Sequence, residues 1–383
     1  MTKNICLIVQ SGYPGDVRVR KEAMALLSHG HTVSIIALRN SGEARHEVID
    51  NVKIYRIGLQ KKRSGKIRYV LEYFTFFFLS FIRLNILDFR YRYDIVHINT
   101  LPDFLVFAGL IQKLKGKKII LDMHEIMPEF FMSKFGVGFH HPIVFLLRIL
   151  EKICLKFADE VITVNEPIKS IFHQRSIPHK PITVVMNTVS TSVVDSDIKR
   201  SHVGFNCVYH GTLTDIYGLD TAIEGFSKVK FKFPDILFHI YGDGQCLFQL
   251  KKLTKKLNLE NSVIFHGAMT HKEVLKSLGE MDLGILSMRK DVFLNLSFSN
   301  KLAEYVYMKI PTIVSDLDSV KFYFTNEHIL FYEAANTDDL AQKIEYAYLN
   351  REIINMMAES AYVHFKEYNW DVMAERYLDI IER

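Results

Sequence analysis

The feature that most constrains this chain is an alternation that runs twice along it. Short continuous apolar runs are separated by stretches with amphipathic helical spacing. Residues 5–9 (Ile-Cys-Leu-Ile-Val) are apolar throughout; Val19, Ala23, Leu26 and Leu27 follow at helical spacing, and Gly30 ends that pattern. Further strand-like runs fall at 32–38, 94–98, 118–121, 160–164 and 182–185. A strand that is apolar on both sides must be covered on both sides, which helices on the two faces of a parallel sheet provide. Near Thr188 the pattern breaks, and 188–199 is polar without a helical period, as a linker would be. A second series occupies 205–209, 236–241, 263–265, 283–286 and 312–314. The end, 370–383, is an amphipathic helix with Val372, Met373, Tyr377 and Ile380 on one face. The expected fold is α/β, with two doubly wound Rossmann-like domains, at 1–188 and 200–367, facing across a cleft. Ligands in such sheets bind outside the carboxyl ends of the strands.

Composition narrows the function classes. The chain has 383 residues, 24% charged, with a formal net charge of +5, and no basic stripe of the kind that binds nucleic acid. The four cysteines, Cys6, Cys154, Cys207 and Cys246, are far apart and form no C-x-x-C pair, so neither a zinc site nor a disulfide framework is expected. Residues 5–9 are too short for a signal-peptide core. The longest stretch without Asp, Glu, Lys or Arg is 181–194 and is partly polar, so no membrane-spanning helix is expected.

Four places carry chemistry-bearing residues. Between the first strand and its helix, Gly12 and Gly15 allow backbone amides near a ligand and the helix N-terminus favours an anion, with Arg18 and Arg20 adding positive charge. An ordinary βα turn would look the same, and the sequence leaves both open. His124 follows a buried strand and is placed to reach a ligand. Gly211 and Thr212, then Gly242 and Gly244, end the first two strands of the second series; they are either tight turns or diphosphate contacts. Ser299 to Tyr305 opens a helix, where the N-terminus and Lys301 suit a phosphate and Glu304 suits a ribose diol. An exposed amphipathic helix start would read alike.

In their order and spacing, these stretches resemble glycosyltransferase family 4 over nearly the whole chain. The supporting residues are Tyr13 to Arg20, Asp94 to His97, Leu121 to Glu129, Ala158 to Asn165 and Val184 to Asn187. In the second half they are Tyr209 to Leu213, Tyr217 to Asp220, Ile240 to Gly244 and Asn300 to Tyr305. The resemblance implies a GT-B fold and a retaining, metal-independent transfer from a nucleotide sugar, a UDP-sugar in expectation. It implies His124 and Lys301 as catalytic residues. Donor binding is expected at Gly12, Gly15, Arg18, Gly211, Thr212, Gly242, Gly244, Asn300, Leu302 and Glu304, with Arg289, outside the recognised motif, as a further candidate cation. It also implies a last helix, 368–383, that crosses back to the first domain. The chain departs from the family at three positions. A glutamate expected with seven residues between it and Glu304 is replaced at Leu296, and two diphosphate cations are replaced by Thr212 and Tyr217. Lys301, Arg289, Arg18 and helix N-termini remain to offset the leaving group's charge. The alternatives are a nucleotide-sugar epimerase or hydrolase on the same scaffold, and a nucleotide-sugar-binding subunit with little catalysis.

Lys61, Lys62, Arg63, Lys66 and Arg68 precede an aromatic run at 73–82. Ten uncharged residues are too few to span a bilayer, and a core helix is the expectation for them. The basic loop suits an anionic membrane surface. The expected acceptor is a growing, lipid-linked glycan, and the expected location is cytoplasmic and peripheral at the inner face of the plasma membrane.

Overall fold

The computed structural model describes residues 1–59, 66–190 and 204–383. The chain forms two compact units, Met1–Asn187 with Val372–Arg383, and Thr188–Asp371. Most of the linker expected at 188–199 lies outside the described residues, as do Lys61, Lys62 and Arg63.

The first unit is built on eight strands: β1 (Asn4–Gly12), β2 (Thr32–Leu38), β3 (His46–Ile49), β4 (Val52–Ile57), β5 (Ile95–Asn99), β6 (Lys118–Met123), β7 (Glu160–Thr163) and β8 (Ile182–Val184). Their order is β3-β4-β2-β1-β5-β6-β7-β8, and every pairing is parallel except β3 with β4. Helices α1 (Val17–Ser28), α2 (Lys66–Tyr91), α3 (Leu110–Leu114), α4 (Met127–Phe135), α5 (Pro142–Phe157) and α6 (Glu166–Arg175) connect them. Ile5, Cys6, Leu7 and Ile8 of β1 are fully buried, as an apolar run covered on both faces should be. Strand order reverses at β1, which has β2 on one side and β5 on the other. That is a topological switch point, where the strand ends leave a crevice for a ligand.

The second unit has six parallel strands in the order β11-β10-β9-β12-β13-β14. They are β9 (Phe205–His210), β10 (Ile236–Tyr241), β11 (Val263–Gly267), β12 (Leu283–Leu286), β13 (Thr312–Ser315) and β14 (Leu330–Tyr332). Helices α7 (Leu219–Lys230), α8 (Leu247–Lys256), α9 (His271–Leu278), α10 (Asn300–Tyr307), α11 (Asp318–Tyr323), α12 (Thr337–Leu349) and α13 (Arg351–Phe365) accompany them. Here the order reverses at β9, between β10 and β12. The last helix, α14 (Trp370–Glu382), belongs to the first unit from Val372 on. There Tyr377 bonds His97 at 2.8 Å, and Lys118 caps its final turn by donating to the Ile380 carbonyl at 3.1 Å.

The structure departs from the sequence reading at two places. The β3–β4 hairpin was not foreseen. It turns at Asp50 and Asn51, both at positive φ (50° and 65°), which is the backbone of a tight two-residue hairpin without the usual glycine. The aromatic segment 73–82 is a core helix on one side only: Phe76 and Ser80 are buried, whereas Phe74, Phe78, Leu79 and Ile82 are exposed. It is the middle of α2, whose segment Val70–Tyr91 contains an 18-residue stretch of mean hydropathy 1.6 and is long and apolar enough to cross a membrane by length and composition. Charges on either side of the aromatic run hide that length in the sequence. Glu72 and Asp88 are turned inward, and Asp88 accepts from the Tyr93 amide (3.1 Å), Gln112 (3.3 Å) and Lys115 (2.8 Å). α2 packs on β1, β2 and β4, with Phe76, Ser80 and Leu84 fully buried.

Candidate active site

In the first unit the expected residues gather at the ends of β1, β5 and β6. His124 follows β6, and its side chain is 8% exposed. Arg18, in the first turn of α1, donates to Nδ1 of His124. Nε2 then carries the ring proton and donates to Asp122 at 2.8 Å and Asn99 at 3.1 Å. The backbone amide of His124 donates to the Thr100 hydroxyl at 3.0 Å. Burial, then the Arg18 charge, lowers the imidazole pKa against the opposing pull of Asp122, so the ring is neutral. Both ring nitrogens are engaged, which makes this side chain a held donor rather than an available base. Burial would raise the Asp122 carboxyl, but His124 and Arg18 outweigh it and hold that carboxyl well below the usual range.

The glycine turn is arranged differently from the expectation. Asp16 caps α1, accepting from the Val19 amide at 3.4 Å and the Ser11 hydroxyl at 2.8 Å. A carboxylate therefore occupies the helix N-terminus where an anion was expected. A side chain on Gly12 would collide with Asn40, whereas one on Gly15 would make ordinary contact. Arg20 points away, to Asp50 at 3.4 Å on the surface.

Beneath His124 lies a group that the sequence did not single out. Glu22 on α1, His97 on β5 and Asp122 on β6 bring their ligand atoms within 4.8 Å of one another, all buried. Among the described residues this is the group that could hold a metal ion. Burial, then the charge of Asp122, raises the Glu22 carboxyl well above its ordinary value, and burial lowers His97 to about 4. The set thus has one negative charge, with the Glu22 carboxyl holding its proton beside the ionised Asp122. Three elements supply it, so no local motif announces it.

In the second unit the glycines serve packing. The Gly211 amide donates to the Tyr241 carbonyl (2.8 Å), that of Gly242 to the Gly267 carbonyl (2.7 Å) and that of Gly244 to the Asp243 side chain (2.7 Å). These amides were expected at a diphosphate and instead bond within the chain. A Cβ at Gly242 would strike the Gly211 carbonyl, one at Gly244 the Leu213 carbonyl, and one at Gly211 the Lys301 side chain. Thr212 is exposed, its carbonyl accepting from the Tyr209 hydroxyl at 3.0 Å.

Lys301 runs over Gly211, and its ammonium lies 3.9 Å from the centre of the Tyr217 ring and 5.6 Å from that of Tyr209. Burial lowers its pKa to about 8, against the weaker opposing charge of Glu304. Asn300 is exposed and Leu302 fully buried, so Leu302 offers a ligand no side-chain contact. Helix α10 has no side-chain cap, in contrast to α1, and its N-terminal amides with Lys301 form an anion-attracting corner. Glu304 is 13% exposed and is gripped by His210 at 2.5 Å and His271 at 2.9 Å. Burial would raise Glu304, but the two imidazoles outweigh it and bring its pKa to about 2. Arg289 is not available to a diphosphate as expected: it bonds Asp215 and Asp220, each at 2.8 Å, so two carboxylates already neutralise it. His210 was in the recognised stretch, but only the fold showed its bond to Glu304. His271, from α9, carried no signal.

The family model described as Glycosyltransferase Family 4 matches residues 16–193, and the one described as Glycosyl transferases group 1 matches 204–364. The chain belongs to glycosyltransferase family 4. Its two Rossmann-like units, each built on a mainly parallel sheet, are those of the GT-B fold. Among curated relatives, the human phosphatidylinositol N-acetylglucosaminyltransferase component is 22% identical over 306 residues, 78% of this chain. The chain spans 58% of that relative's own length. Among solved structures, sucrose-phosphate synthase from Thermosynechococcus elongatus superposes with a TM-score of 0.80 at 15% identity, covering 99% of this chain and 98% of that one. Anabaena HepE, solved in complex with UDP-glucose, gives a TM-score of 0.69 at 13% identity, covering 99% of each chain.

Proposed function

We propose that this enzyme moves a sugar from a UDP-sugar to a lipid-linked glycan acceptor, with retention of anomeric configuration and without a metal ion. The observation that carries the reading is the Lys301 corner. One cation, an uncapped helix N-terminus and a carboxylate one turn later stand at a switch point where a nucleotide diphosphate binds an α/β sheet. Lys301 and the α10 amides offset the charge on the departing diphosphate, the role a metal plays elsewhere. Glu304 accepts from the ribose once His271, its exposed partner, swings away. His124, neutral and held by Arg18, Asp122 and Asn99, serves the sugar side. UDP is supported by the Anabaena structure's bound donor, and a lipid-linked acceptor by the phosphatidylinositol in the human relative's name. With it we propose a peripheral location at the inner face of the plasma membrane.

Release of nucleoside diphosphate from a panel of sugar nucleotides, with and without acceptor, tests the donor and the requirement for transfer. The same assay run with a chelator tests metal independence. The anomer of the product tests retention. Inversion would require a general base, and the nearest carboxyl to His124 in sequence, Glu125, is held above its ordinary pKa by burial. An inverted product abolished by Glu125→Gln would replace the retaining mechanism with that one.

A further inference from the structure

Helix α2 has two faces, and among the described residues nothing covers the outer one. While Phe76, Leu84 and Leu87 face the sheet, Leu71, Phe78, Leu79, Ile82, Ile86 and Phe89 are exposed, Phe89 at 92%. Helix α5 repeats the division: Val144, Cys154 and Leu155 are buried, whereas Phe145, Leu146, Ile149 and Ile153 are exposed. Both helices pack on one 3-10 segment, Asp103–Gly109. Phe104 stacks on Phe74 of α2 with centroids 4.9 Å apart, and Phe107 meets Phe157 of α5 edge-on at 5.0 Å. The two exposed stripes thus stand on the same side of the first unit, and Leu110 and Leu114 of α3 add to them. A contiguous apolar surface of this kind marks a docking site.

The charges identify the occupant. The carboxylates on these two helices, Glu72 and Asp88 of α2 and Glu151 of α5, are all buried. Glu151 accepts from Arg175 and Ser176. The exposed charges are cationic: Arg68, Arg83 and Arg90 on α2, Lys152 and Lys156 on α5. Apolar faces flanked by cations, on two helices with no exposed carboxylate, complement an anionic lipid surface. A second copy of the chain would set like charges against each other across a symmetric contact, which disfavours it.

We propose that the α2–α5 face docks the first unit on an anionic bilayer, both helices lying in the interface. Although α2 is long enough to span, it lies along the sheet on β1, β2 and β4, and crossing would break that packing and the bonds of Asp88. The proposal deepens the membrane-side reading above, and its test requires neither sugar donor nor acceptor.

The experiment is flotation of the full chain with phosphatidylcholine vesicles, with and without phosphatidylglycerol, at low and high salt. The variants are Phe78→Glu/Ile82→Glu, Lys152→Glu/Lys156→Glu and an alanine replacement of Lys61, Lys62 and Arg63. Wild type should float with anionic vesicles and be released by salt and by alkaline carbonate. The apolar-face variant should bind about tenfold more weakly or worse. The lysine variant should lose binding only to anionic vesicles, and the loop variant should retain most of it. UDP affinity, read by calorimetry on each variant, should stay at the wild-type value. It shows that the chain is folded and separates failure of docking from failure of the donor reading. Wild type that ignores anionic vesicles at low salt overturns the proposal. So does an apolar-face variant that binds as wild type, resistance to carbonate extraction, or a dimer dissolved by Phe78→Glu/Ile82→Glu.

Discussion

Lys301 sets its ammonium 3.9 Å from the centre of the Tyr217 ring, at a residue where the family resemblance leads one to expect a second cation. One positive charge over an aromatic face thus replaces a pair of charges. A cation over a desolvated ring gains about 2 kcal/mol, which offsets part of the cost of burying the ammonium.

Donor binding should depend on pH through this lysine. Its pKa is lowered by burial to about 8, so UDP affinity should be tightest below that pH and weaken as pH rises through it. The terminal phosphate is already ionised at about pH 7 and does not contribute to that decline. Lys301→Arg, which stays charged, should flatten the profile. Folding stability has the opposite sign: the unfolded lysine titrates at about 10.4, so stability rises between about pH 8 and that value. Calorimetric titrations with UDP from about pH 7 to about pH 9 check this; a wild-type profile as flat as that of the arginine variant contradicts it.

Lys301→Ala should lower turnover far more than Arg289→Ala. The first removes charge stabilisation of the leaving group, a loss of order 10²–10³ in kcat. The second mainly breaks partly exposed ion pairs to Asp215 and Asp220, which contribute about 1 kcal/mol or less to folding. Rates of diphosphate release together with thermal melts decide it, and equal rate losses would reverse the ranking.

Glu304→Ala should weaken UDP binding by about 1.5–3 kcal/mol, the loss expected for a charged hydrogen-bond partner. It should also lower stability, because His210 and His271 lose the carboxylate they hold. With a folded pKa of about 2, Glu304 contributes stability that is present above the unfolded value of about 4.3 and lost as pH falls through that window. Acid unfolding of the wild type and Glu304→Gln should therefore converge below about pH 2. A constant gap between them across the range would count against the assignment.

Glu22→Gln should be tolerated, because the native carboxyl already carries its proton. Its raised pKa makes the native contribution one that is present at low pH and lost as pH rises through the folded value, so the glutamine form should gain relative stability on the alkaline side. Asp122→Asn should instead cost about 3 kcal/mol or more, because it leaves Arg18 without its buried counter-charge behind His124. Melting curves across pH for the two variants check this, and a Glu22→Gln protein as unstable as Asp122→Asn would refute a protonated Glu22.

The two sheets were legible because a buried parallel strand has a strong local signature. Residues 32–38, 236–241 and 283–286 are strands with those same bounds. The hairpin at β3 and β4 was not, since its turn residues, Asp50 and Asn51, reach positive φ without glycine and β3 is half exposed. Lys301 and Glu304 could be named from one segment, because one helical turn brings them together. Arg289 could not be judged from its own segment, because its partners lie some seventy residues earlier.

The sequence by itself determined the strand pattern, the repeated α/β series, the family and the short motifs whose residues sit within one turn of each other. These depend on local periodicity and on backbone rules that neighbours in the chain obey. Tertiary structure alone decided which charges are available. It paired Arg289 with Asp215 and Asp220, laid Lys301 over Tyr217, gathered Glu22, His97 and Asp122 from three elements, and turned Glu72 and Asp88 inward so that α2 presents an apolar face. The physical reason is that a charge's strength depends on its distance to other charges and its access to water, and folding sets both across separations that no sequence window spans.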